Sequence, residues 1–82
     1  MKPEAAFKKM SRNERYNALR EEGTYVGGRI HGGHSIYLYT WRGLYVELYM
    51  RTGLNCVDWI EIQRNKAIIS EYADNVDLKD LF

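Results

Sequence analysis

Between residues 24 and 63 the chain carries four short runs rich in Tyr, Val, Ile and Trp, near 24–30, 35–40, 44–51 and 56–63, and each gap between them is a few residues long and contains glycine. β-branched and aromatic residues in such runs are the mark of strands. Connections this short cannot carry a crossover, so consecutive strands must pair antiparallel and the middle of the chain is predicted to be a meander.

Helical signals flank it. Ser11-Arg12-Asn13-Glu14 has the spacing of a capping box, in which the serine hydroxyl satisfies a free N–H and the glutamate reaches back. A helix is therefore expected from Arg12 through Tyr16 and Leu19 to Glu22, with Gly23 ending it in the left-handed conformation. Phe7 and Met10 are expected to fold back as a further short helical turn. Ala67, Ile68, Ile69 and Tyr72 have the spacing of an amphipathic helix after Asn65, and Asp77 is placed to cap a last turn holding Leu78 and Leu81. The fold class is α+β, in the order α-β-β-β-β-α. With 82 residues there is room for one core, so residues 1–82 form a single domain. Apolar residues at 45% and charged residues at 28% describe a folded chain rather than a disordered one. A core this small supplies only ~3 to 5 kcal/mol, which favours burying more surface in an oligomer.

Because strand side chains alternate, the length of each turn decides which residues share a face. We expect three-residue loops, Trp41-Arg42-Gly43 and His31-Gly32-Gly33. They gather Ile36, Leu38, Val46, Leu48 and Met50 on a face that the helices cover. The other face then presents Tyr37, Tyr39, Tyr45, Glu47, Tyr49 and Trp59, with Tyr25 and Arg29 beside them. Two-residue turns, Arg42-Gly43 or Gly32-Gly33, would reverse the parity and mix tyrosines with aliphatics.

A sheet face of tyrosines with a tryptophan suits a surface that is wet at one time and covered at another. The expected function is a non-enzymatic interaction module that uses Tyr37, Tyr39, Tyr45, Glu47, Tyr49, Trp59 and Arg29 to bind a protein partner or a second copy of itself, as a homodimer. The alternative is a weak binder of single-stranded nucleic acid, with bases on the rings and Arg29 and Arg51 at the phosphates, opposed by Glu47 and Glu61. A third reading is a small enzyme using Glu47 as a general acid or base, although no second catalytic group is indicated. A partly exposed carboxylate bonded to a tyrosine hydroxyl or to Arg29 is the simpler role for that residue.

Nothing further points to chemistry. His31 and His34 bracket a diglycine but lack the additional ligands that zinc requires, and are expected to face solvent. Cys56 is expected to be a small buried hydrophobe. The glycine pairs lack the Lys-Ser/Thr ending of a phosphate loop. No cofactor or metal is expected. Net charge is +1, but residues 1–20 hold six Lys/Arg against two Glu, whereas residues 21–82 hold six against nine Asp/Glu. The overall balance argues against a dedicated nucleic-acid binder, while the basic amino end keeps a weaker version open.

A lone cysteine excludes an intrachain disulfide. The first ten residues lack the apolar run of a signal peptide, and no stretch approaches the ~20 apolar residues of a membrane span, so a cytoplasmic location is expected. At Phe7, Ser11, Glu14-Arg15, Leu19, Gly23-Thr24-Tyr25, Leu38-Tyr39 and Gly43 to Glu47, the chain resembles a group of short bacterial proteins. These combine a helix, a tyrosine-rich meander with a G-x-Y-V-E signature, and an acidic tail such as Asp77-Leu78 and Asp80-Leu81. The resemblance implies a bacterial cytoplasmic origin and brings no activity, cofactor or site residue.

Overall fold

A computed structural model describes residues 2–75. Helices α1 (Pro3–Lys9) and α2 (Arg12–Glu22) precede strands β1 (Thr24–His31), β2 (His34–Trp41), β3 (Leu44–Arg51) and β4 (Cys56–Ile62), and helix α3 (Lys66–Asn75) follows. The strands form one antiparallel sheet in the order β1-β2-β3-β4, the expected α-β-β-β-β-α meander. The turn expected at Asp77, Leu78 and Leu81 lies outside the described residues.

Local chemistry sets the helix ends. The Ser11 hydroxyl accepts from the Glu14 N–H at 3.2 Å and the Ser11 N–H donates to Glu14 Oε1 at 3.0 Å, closing the capping box. Asn65 Oδ1 accepts from the Ala67 N–H at 2.9 Å and starts α3. Gly23 departs from expectation, because it ends α2 with φ −78° and ψ 151°, extended rather than left-handed. Its glycine is demanded by a close approach instead: a Cβ there would stand 2.5 Å from the Leu19 carbonyl oxygen.

The turns also correct the expected parity. Trp41 pairs with Leu44 and His31 with His34, so both hairpins close on two residues, Arg42-Gly43 and Gly32-Gly33. Arg42 (φ 48°) and Gly43 (φ 81°) are both left-handed, as in a type I′ turn. For arginine that conformation costs roughly 1 to 2 kcal/mol. It places Trp41 inside the sheet at 1% exposure, where burial of so large a ring contributes about 2 to 3 kcal/mol. The strained residue gains support of its own: the Arg42 guanidinium lies 4.7 Å from the centre of the Trp41 ring and pairs with Glu22 at 2.8 Å.

With this parity the helices cover both faces rather than one. Phe7 of α1 and Leu19 of α2 pack with Trp41, Val46, Leu48 and Ile60, and Tyr37, Tyr39, Met50 and Val57 lean on that cluster. On the opposite face Tyr72 of α3 packs with Ile36 and Leu38, flanked by Val26, Tyr49, Ile68 and Ile69. Two bulges keep the edge strands in step. Val26 is the extra residue between Tyr25 and Gly27, and Asp58 is the extra residue between Val57 and Trp59, which brings both Val57 and Ile60 to the first face.

Arg15 ties the first layer to the sheet. Its Nε and Nη2 donate to the Phe7 and Lys8 carbonyls at the end of α1, at 3.2 and 3.3 Å, and Nη1 donates to Ile60 O on β4 at 2.6 Å. One side chain thus holds two helices and an edge strand. Arg15→Met, which keeps the apolar stem, is expected to lower the unfolding free energy by about 2 kcal/mol in urea titrations, since hydrogen bonds to a charged donor are among the stronger ones. An unchanged midpoint would remove this role.

Candidate functional site

The corrected parity divides the residues expected to share one aromatic face. Tyr37 and Tyr39 lie on the α1/α2 side, whereas Tyr45, Glu47 and Tyr49 point to the α3 side with Arg29. Trp59, opposite Tyr49 on the edge strand, turns its ring to Arg15, whose guanidinium carbon is 5.1 Å from the ring centre. Tyr45 stands exposed near Gln63 and Ile69. A single uncovered tyrosine face does not form, because the two-residue turns shift β2 by one position against the expected pattern.

What does assemble is a buried polar centre around Glu47, which is 0% exposed. Its Oε1 accepts from the Tyr49 hydroxyl at 3.0 Å and from Gln63 Nε2 at 2.6 Å. Its Oε2 accepts from Arg29 Nη2 at 3.1 Å and from the Tyr72 hydroxyl. Arg29 Nε also donates to the Tyr72 oxygen at 3.0 Å. The expected partly exposed carboxylate is therefore fully enclosed, though its expected partners, Arg29 and a tyrosine, are correct. Burial pushes the Glu47 carboxyl up, but the hydrogen bonds from Tyr72, Gln63, Arg29 and Tyr49 outweigh it and hold the pKa below its ordinary value. Burial and the neighbouring carboxylate raise the Tyr49 and Tyr72 hydroxyls, so both are protonated donors at neutral pH, where Glu47 is ionised.

A carboxylate offers about four acceptor positions, and all are filled here. None remains to take a proton from a substrate, which removes the geometric premise of Glu47 as a general base. Glutamine is a poor replacement at this position, since an amide would turn an NH2 toward groups that already donate. Gln63 and Tyr72 were missing from the sequence-based site. Their one signal was the amphipathic spacing that brought Tyr72 to the sheet; nothing in that spacing indicates a buried carboxylate beneath it.

Other expected groups fall out differently. His34 is half-buried and donates from Nε2 to Asp58 Oδ2 at 2.8 Å, instead of facing solvent, while His31 is exposed. Arg51 also donates to Asp58, and these bonds, with that from His34 the largest effect, hold the Asp58 carboxyl low. Cys56 is exposed, not buried. Among the described residues no three His, Cys, Asp or Glu side chains gather as metal ligands. Arg29 and Arg51 are both engaged by carboxylates, so the nucleic-acid reading loses the cations assigned to it.

One accessible aromatic surface lies at the first edge of the sheet. Tyr25, 55% exposed, stands edge-on to Tyr39 at 5.6 Å and 6.3 Å from Tyr37, and its hydroxyl rests over Gly28. Ile30, 79% exposed, follows on the same strand. The three rings and Ile30 form a shelf along β1, at one edge of the sheet. No family model, curated protein or solved structure gives a significant match to the chain.

Glu47→Gln is expected to lower stability by about 3 to 5 kcal/mol, because it strands a buried arginine. In a domain this small that leaves little folded protein, so Tyr72→Phe, with an expected loss of about 1 to 2 kcal/mol, is the quantitative test in urea titrations. The folded pKa of Glu47 lies below the unfolded value of about 4.3, so its contribution is complete above that pH and fades as pH falls through the folded pKa. The wild-type advantage over Tyr72→Phe should therefore be greatest at neutral pH and shrink in acid. A pH-independent difference would show that the hydroxyl does not serve an ionised Glu47.

Proposed function

We propose that this chain is a cytoplasmic interaction module that self-associates as a homodimer through the Tyr25–Tyr37–Tyr39 shelf and the adjoining edge of β1. The observation that carries this reading is the coincidence of exposed aromatic surface with a strand edge whose backbone is hydrogen-bonded only to β2. Among the described residues, no backbone hydrogen bond outside the sheet involves β1. The opposite edge, β4, has its Ile60 carbonyl occupied by Arg15. An unpaired strand edge is a template for another strand, and rings beside it supply apolar burial at low entropic cost. A two-fold axis needs one self-complementary patch only.

Two supporting facts concern location. Among the described residues no helix is long and apolar enough to cross a membrane. Cys56 is an exposed free thiol, which suits a reducing compartment.

Tyr49 now belongs to the α3-side core, and Tyr37 and Tyr39 lean on the other core, so none of them tests association cleanly. Tyr25→Ser combined with Ile30→Lys alters exposed groups and should leave circular dichroism and the melting transition nearly unchanged. Sedimentation equilibrium is expected to show a wild-type dimer whose dissociation constant rises roughly 30-fold or more in the double variant. Wild-type protein that stays monomeric up to about 1 mM would sink the homodimer reading, because an interface that weak has no hot spot at its centre.

A further inference from the structure

At the other edge of the sheet a second surface has different chemistry. Trp59 is 47% exposed on β4, and Arg15 lies against its ring. The Arg15 guanidinium is fixed by three main-chain carbonyls and pairs with no carboxylate among the described residues. Lys8, Arg64 and Glu61 complete a recess of about 260 Å³ around this pair. Lys8 and Arg64 share one carboxylate, Glu4, so the two cations are only half neutralised. Further along the same strand, Arg12 and Tyr16 border a second recess against Cys56 and Val57.

Two rings, Tyr16 and Trp59, are therefore interspersed with four cations, Arg12, Arg15, Lys8 and Arg64, along the β4 edge. The cations divide between two recesses along the strand, Lys8, Arg15 and Arg64 at one and Arg12 at the other, which suits a chain of phosphates better than a single anion. The exposed rings offer stacking surfaces, which tolerate any base. We propose that the β4 flank binds single-stranded nucleic acid, with a base stacked on Trp59 and phosphates against Lys8, Arg12 and Arg64. This surface is separate from the β1 shelf; strands about 4.8 Å apart in a four-stranded sheet put the two edges roughly 14 Å from one another. Glu61, on the rim of the recess, keeps the net charge modest, so the binding is weak and non-specific.

The chain carries its own reporter. Trp41 is buried and Trp59 is exposed, so quenching of tryptophan emission by added ligand reports on Trp59. Titration of the intact protein with a labelled ten-nucleotide oligothymidylate, followed by anisotropy and emission, is expected to give a dissociation constant of about 10 to 100 μM at low salt. About three phosphate contacts predict a fall in affinity of roughly 15-fold between ~50 and ~200 mM salt. Trp59→Ala should weaken binding roughly 10- to 100-fold, and Lys8→Glu with Arg12→Glu should abolish it, with thermal melts confirming that each variant is folded. Tyr25→Ser with Ile30→Lys should leave binding unchanged, which separates this surface from the dimer interface. Binding that ignores salt, survives Trp59→Ala, or is matched by free thymidine monophosphate or by polyglutamate would overturn the proposal, as would no binding at about 1 mM protein.

Discussion

One carboxylate organises the α3 side of this protein. Glu47 points from the middle of the sheet into a volume that water does not reach, and an ionised group there is tolerable only if every acceptor position is met. The four donors come from separate parts of the chain: Arg29 on β1, Tyr49 on β3, Gln63 in the segment after β4, and Tyr72 on α3. Satisfying the charge thus requires the first strand, the third strand and the last helix to be in place together. The apolar contacts of α3, through Ile68, Ile69 and Tyr72, form a small cluster, and the Tyr72 hydroxyl joins that helix to the polar centre. An unmet buried charge is worse than an apolar residue, so misplacement of α3 is penalised more steeply than a cluster of that size would achieve alone.

The other layer depends on packing instead. Trp41 closes its hairpin and fills the space between α1, α2 and the sheet, with Phe7 inclined to it at 5.2 Å between ring centres. The left-handed Arg42 is acceptable because the tight turn it makes possible buries that indole. Glu22 and the indole face then hold the arginine in the conformation it would otherwise avoid. Helix α2, the turn and the core are therefore coupled through two neighbouring residues.

The two edges of the sheet are treated differently, and the functional readings follow from that difference. At β4 an arginine from α2 reaches a strand carbonyl and lies on an exposed tryptophan, leaving a basic, aromatic flank. At β1 no such arm is present among the described residues, and Tyr25 stands beside backbone that is hydrogen-bonded only to β2. The Val26 bulge twists that edge locally without covering it.

Much of the architecture was legible in the residues themselves. The capping box at Ser11, the four strands, the short connections that force an antiparallel meander and the helix after Asn65 are local properties, set by hydrogen bonds and periodicity within a few residues. The sequence also pointed to Glu47, Arg29 and a tyrosine as partners. It did not decide the faces, because one residue more or less in a turn inverts an entire strand. The turn at Arg42-Gly43 buries Trp41 against Phe7 and Leu19, residues of helices distant in the chain from the hairpin itself. For the same reason the uniform tyrosine face divided, with Tyr37 and Tyr39 on one side of the sheet and Tyr45 and Tyr49 on the other. Gln63 and Tyr72 joined Glu47 only when α3 folded over the second face, since the need to satisfy a buried charge arises from tertiary enclosure and leaves no trace in local spacing.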